Sequence, residues 1–146
     1  MRTAAILESG GGIEALLRPL AQARQFKLLR PDDCATPLRC ALLVAAPTLD
    51  RPAPEAVCRI LLTPSDRSAL LGAVRASWIV SCGASPRESI SFSSVQDTGL
   101  TLVIRRRTPT LAGGFLETQE LPMRCAHGAP EEMLLACAAA LLMGGA

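Results

Sequence analysis

The stretch Trp78-Ile-Val-Ser-Cys-Gly83, Ala84-Ser-Pro-Arg-Glu88, Ser89-Ile-Ser-Phe-Ser-Ser-Val95 and, past a short turn, Leu100-Thr-Leu-Val-Ile-Arg-Arg106 decides how the rest of the chain is read. Its first part predicts a strand ending at Gly83, with Ile79 and Val80 inside a sheet. Ile90 and Phe92, then Leu100, Leu102 and Ile104, recur at every second position, the period of strands with one wet face. A short turn between them makes a hairpin. Strand–helix units precede this stretch and feed the same sheet, whereas the residues after it close the hairpin and add one helix.

Working back toward Arg2, Thr3 to Leu7 predicts a short strand, and Ser9-Gly10-Gly11-Gly12 a turn into a helix from Ile13 to about Gln25. Ile13, Leu16, Leu17 and Leu20 share one face of that helix; Glu14, Arg18 and Gln22 take the other. Phe26 to Leu29 predicts a second strand. Cys40 to Ala46 is apolar throughout, as a strand covered on both faces requires. Pro47, Pro52 and Pro54 make an irregular connection to a further strand, Arg59 to Leu62. Ser65, a favourable N-cap, and Asp66 then predict a helix to about Arg75, with Leu70, Leu71 and Val74 inward.

Working forward from Arg107, Phe115, Leu116 and Leu121 predict one more antiparallel strand. Pro130-Glu131-Glu132 opens a last helix, with proline and acids at its positive end. The expected fold class is α/β: a mostly parallel, Rossmann-like sheet with flanking helices, extended by a small antiparallel hairpin region and a C-terminal helix. At 146 residues the chain reads as one domain, residues 1–146.

Composition bounds the function. A formal net charge of +2 implies neither a nucleic-acid nor a membrane partner. The longest apolar run, Met133 to Met143, is about half the ~20 residues of a spanning helix. Cys34, Cys40, Cys58, Cys82, Cys125 and Cys137 lack the C-x₂-C spacing of a zinc site and follow no secretory signal, so they read as reduced thiols of a cytoplasmic protein. No metal or cofactor is expected.

The candidate sites are few. Ser9, Gly10, Gly11 and Gly12 form either a tight strand-to-helix turn or a cradle for a small phosphorylated ligand, although they match neither G-x-G-x-x-G nor a P-loop. His127 is the sole histidine, and its spacing from Cys125 does not make a nucleophile–base pair. Cys82, at a strand end beside Gly83, is a weaker candidate for thiol chemistry. Asp32-Asp33, Asp66 and Glu131-Glu132 sit at turns or helix starts, Asp97 stands alone, and Arg105-Arg106-Arg107 is a charged strand end or an anion site. The nearly all-apolar last helix belongs in a core or in a contact between subunits.

Residues 58–146 resemble the second half of the central domain of Mur ligases, the ATP-dependent amide ligases of cell-wall and folate metabolism. The resemblance rests on Trp78-Ile-Val-Ser-Cys-Gly83, the Ser-rich strand and hairpin, the His127 loop and an Ala-rich helix ending Leu142-Met-Gly-Gly145. The family has Gly-x-His-Asn-x-x-Asn in that loop, where this chain has Gly128 after the histidine and Glu132 or Met133 at the second Asn. Its phosphate loop, with an essential lysine, is missing. The resemblance therefore implies the fold without the ligase chemistry, and it assigns no catalytic residue. The two functions expected are a non-catalytic binding or interaction module, as a homo-oligomer, and a nucleotide- or phosphate-binding enzyme using Gly10–Gly12.

Overall fold

The computed structural model describes residues 2–144. Five strands, β1 (Arg2–Leu7), β2 (Phe26–Leu29), β3 (Leu38–Ala45), β4 (Ala56–Thr63) and β5 (Val74–Ser81), form a parallel sheet in the order β2-β1-β3-β4-β5. Helix α1 (Gly12–Ala23) joins β1 to β2. It stops before the expected Gln25 because that residue takes a left-handed backbone, φ 60°, which reverses the chain.

Burial along β3 and β4 explains their sequences. Each alternates or is half-exposed over its first half and is continuously buried over its second. Val57 and Arg59 occupy the wet positions of the alternating half, which is why β4 begins before the apolar run at Ile60. The sheet is dry on both faces only toward the C-terminal ends of β1, β3 and β4.

Two expectations fail in the next segment. The predicted helix from Ser65 to Arg75 is a 3₁₀ turn, Ser65–Leu70, and Val74 already belongs to β5. Gly72 interrupts any continuation, and the Ala56–Val74 pairing draws the backbone into the sheet. Nor is β5 buried. It is an edge strand, with Trp78 51% and Ile79 69% exposed. The ring of Trp78 meets Phe115 edge-on, 6.2 Å between centroids, and Arg107 stacks over Phe115 at 4.1 Å.

Beyond β5, Cys82 bridges Ile90 in parallel, so the next strand starts where β5 ends. The hairpin β6 (Ile90–Gln96) and β7 (Gly99–Ile104) forms as expected. The expected third strand divides in two. Strand β8 (Thr108–Pro109) pairs with β9 (Phe115–Leu116), while β10 (Gln119–Arg124), carrying Leu121, pairs with β7. The antiparallel sheet is thus β10-β7-β6.

Helix α2 (Pro130–Gly144) lies between the two sheets and beside α1. Met133 to Met143 are all buried, and they join Ile13, Leu17, Leu42, Ile60, Leu102 and Ile104 in one cluster. Among the described residues the opposite face of the parallel sheet carries no α-helix: a second cluster of Leu43, Ala45, Leu61, Leu49, Ala53 and Leu71 is closed by loops and the 3₁₀ turn. The architecture is mixed α/β, with both α-helices on one face of the five-stranded sheet. No helix of the described residues is long and apolar enough to cross a membrane.

Because Leu142 is fully buried and its carbonyl accepts the amide of Leu111 at 2.8 Å, α2 ties the β8–β9 region to the core. Truncation in Leu142→Ala is expected to cost about 2–5 kcal/mol, read from the shift of the urea unfolding midpoint.

Candidate functional site

The turn after β1 is built by a carboxylate. Glu8 accepts hydrogen bonds from the backbone N–H groups of Ile13 and Glu14, both 3.0 Å, through its two oxygens. These are free donors at the positive end of α1, where a phosphate would sit. Gly10 takes φ +103°, a region that side chains avoid. Gly12 is glycine for a different reason: a Cβ there would overlap the carboxylate of Glu132 on α2. Ser9 is turned away from α1, its hydroxyl donating to the carbonyl of Thr48 at 3.3 Å. Of the two readings of Ser9–Gly12, turn or cradle, a cradle would share its ground with the chain's own Glu8 and Glu132.

One of several concavities lies beside this turn, at the C-terminal ends of β3, β4 and β5 and the start of α2. A larger compartment of about 490 Å³ is walled mainly by apolar groups, among them Ile13, Ala46, Phe92 and Ala129, with Glu131 and Glu132 at its margin. A smaller one, about 200 Å³, is lined by Ser65, Asp66, Cys82, Gly83, Glu88 and Glu131, among others. The two share Pro47, Ala84 and Glu131. Among the described residues no Arg, Lys or His lines either compartment.

Glu88 differs from the other acids of this crevice. Asp66 lies in the first turn of the 3₁₀ segment, and Glu131 and Glu132 lie in the first turn of α2, where helix-end electrostatics account for them. Glu88 belongs to no helix, yet it is only 7% exposed. One carboxylate oxygen, Oε1, accepts the hydroxyl of Ser65 at 2.6 Å. The other, Oε2, is shielded from solvent and has no hydrogen-bond partner among the described residues. The side chain packs over Gly83, where a Cβ would come within 3.2 Å of its Cγ. No family model, curated protein or solved structure matches this chain.

The remaining candidates separate in space. Cys82 is buried, and burial, with the carboxylate of Glu88 beside it, raises its pKa far above the ordinary thiol value. That is the reverse of what a reactive thiol needs. Desolvation likewise pushes Cys58 up to about 11 and Cys40 to about 12. None of the six thiols is in a disulfide. His127 is exposed in the loop before α2. Arg105, Arg106 and Arg107 diverge to separate partners, Ser91 at 2.9 Å, the carbonyl of Arg87 at 2.8 Å and Glu117 at 2.9 Å. Asp32 and Asp33 form a 3₁₀ turn, and Asp97 lies in the β6–β7 turn.

Sequence reasoning missed Glu88. A single acid in a Ser- and Pro-containing loop reads as solvated, and only the Cys82–Ile90 bridge, which folds that loop over the strand ends, buries it. Chemically, the crevice offers carboxylates and hydroxyls beside an apolar chamber: a place to hold a group that donates hydrogen bonds.

Removing the carboxylate in Glu8→Ala is expected to destabilise the chain by about 1 kcal/mol, because two amides at the head of α1 lose their acceptor. Gly11→Ala meets nothing within 4 Å and should stay within about 0.5 kcal/mol of the parent. Paired urea titrations read both.

Proposed function

We propose that this chain is a non-catalytic binding module of Rossmann-like layout, which holds a small molecule in the crevice at the C-terminal ends of β3–β5. One observation carries the reading: the concavity sits beside the junction of β1 and β3, where strand order reverses, and open parallel sheets bind ligands at that junction. The lining supports binding over catalysis. It brings together carboxylates, hydroxyls and one protonated thiol, and offers no nucleophile matched to a base.

The likeness of residues 58–146 to the Mur ligase central domain belongs to the same proposal, supported by the order of hairpin, His127 loop and buried α2. So does a cytoplasmic setting, supported by thiols packed as small apolar side chains. A phosphorylated ligand at Ser9–Gly12 is the alternative, and it would have to displace Glu8 from α1 against the negative charge of Glu132.

Nitrogen–proton correlation spectra of the labelled full chain, titrated with a chemically diverse fragment set, test the reading. Shifts should centre on Ser65, Ala84 and Ser85. Shifts centred on Ser9–Gly12 with orthophosphate or nucleotides would favour the alternative, and a silent crevice across the set would end the proposal.

The homo-oligomer is proposed with a different surface from the one the sequence suggested, since α2 is covered within the chain. Strand β5 pairs only with β4, and its eight residues include no proline and one charge, Arg75. Such edges are normally blunted. Antiparallel pairing of two β5 strands about a twofold axis would cover Trp78 and Ile79 of both copies. Light scattering at micromolar concentration should show a dimer that Ile79→Lys converts to monomer; a monomeric parent chain would refute it.

A further inference from the structure

The crevice carries a chemical preference beyond its location. We infer that it selects a small organic cation, an ammonium or amidinium head on an apolar body, with Glu88 as the group that recognises the charge. This rests on the binding reading above and adds the class of ligand.

The inference starts from a deficit. A buried carboxylate is tolerated when its oxygens receive hydrogen bonds or face a positive charge. Glu88 receives one, from Ser65 at 2.6 Å, and Oε2 receives none. Among the described residues no basic side chain lines the surrounding cavity. Glu88 lines that cavity, and a turn of the carboxyl group that brings the shielded Oε2 to it would let a donor from outside the chain complete the pairing.

The field points the same way. Asp66 and Glu131 share the smaller compartment with Glu88, and Glu132 adds to the larger. An anionic ligand in the smaller compartment would meet the carboxylates of Glu88 and Glu131. The positive ends of the two α-helices, which might have offset them, are already engaged: Glu8 takes the amides of α1, and Glu131 and Glu132 occupy the first turn of α2. Asp66 is exposed and paired with Arg67 at 3.8 Å, whereas Glu88, Glu131 and Glu132 enter no ion pair among the described residues, and unpaired carboxylates favour a cation over water.

Shape supplies the rest of the ligand. The smaller compartment, about 200 Å³, suits a head group. It shares the lining residues Pro47, Ala84 and Glu131 with the chamber of about 490 Å³ walled by Ile13, Ala46, Phe92 and Ala129. A charged head with a hydrocarbon body therefore fits better than a bare metal ion. Consistent with this, the described residues contain no cluster of three metal-ligating side chains.

Isothermal titration of the full chain with matched pairs tests the preference: butylamine and cyclohexylamine against the alcohols of the same skeleton, benzamidine against benzamide, and calcium chloride. The cations should bind at least ten-fold tighter than their neutral partners, and Glu88→Gln should erase most of that difference. In the free chain Glu88→Gln should also raise the urea midpoint, because the orphaned charge is gone. Equal binding of amine and alcohol, or of amine by parent and Glu88→Gln chains, would overturn the inference. So would calcium binding more tightly than any amine. If Glu88→Gln fails to fold, the amine–alcohol pairs in the parent chain decide alone. A neutral or anionic fragment that shifts Ser65 and Ala84 while amines do not would leave the binding reading standing and remove only the cation.

Discussion

The structure depends on hiding α2. Eleven consecutive residues, Met133 to Met143, are buried on every side of the helix. A helix without a polar face cannot lie on a surface, because each exposed leucine or methionine would forfeit about 1.5–3 kcal/mol of transfer free energy. It needs cover all round, and no single sheet gives that. The parallel sheet and α1 cover part of its circumference, and the antiparallel β10-β7-β6 sheet covers another part. The three alanines, Ala138 to Ala140, keep the helix slim where neighbours approach. The opposite face of the parallel sheet has less to bury, and side chains such as Leu49, Ala53 and Leu71 from loops suffice there.

Much of this was legible. The apolar runs of β1, β3 and β4, the alternation of Leu100, Leu102 and Ile104, and the Pro-Glu-Glu start of α2 are local signals of burial and period, and the structure follows them. The edge position of β5 was not legible. Trp78-Ile-Val80 has the composition of a central strand, and what makes it an edge is that β6 leaves the sheet after the Cys82–Ile90 bridge, a long-range event. The 3₁₀ turn had a helix's opening signals and lost the contest to strand pairing from Val74 onward. In the candidate site the glycines were visible as a turn, but their neighbour was not. Glu132 lies far from Gly12 in sequence and meets it only when α2 docks beside α1.

Two helix N-termini meet near the strand ends, a combination that ordinarily attracts anions. In this chain the attraction is spent internally. Glu8 bridges the first amides of α1, and the acids of α2's opening turn face the same region. What remains is a crevice whose polarity is reversed relative to a phosphate site on a comparable sheet. Glu88 gives that reversal its sharpest point, since its burial follows from the path of the loop over Gly83 and owes nothing to helix stability.

The place of α2 in chain order has a consequence for biosynthesis. Its residues are the last of the described elements to leave the ribosome, and every sheet face of the main cluster waits for them. Until residues 130–144 emerge, the nascent strands expose the apolar surfaces of two unfinished layers. Such a chain cannot mature piecemeal from its first strand onward. It closes late and as a unit.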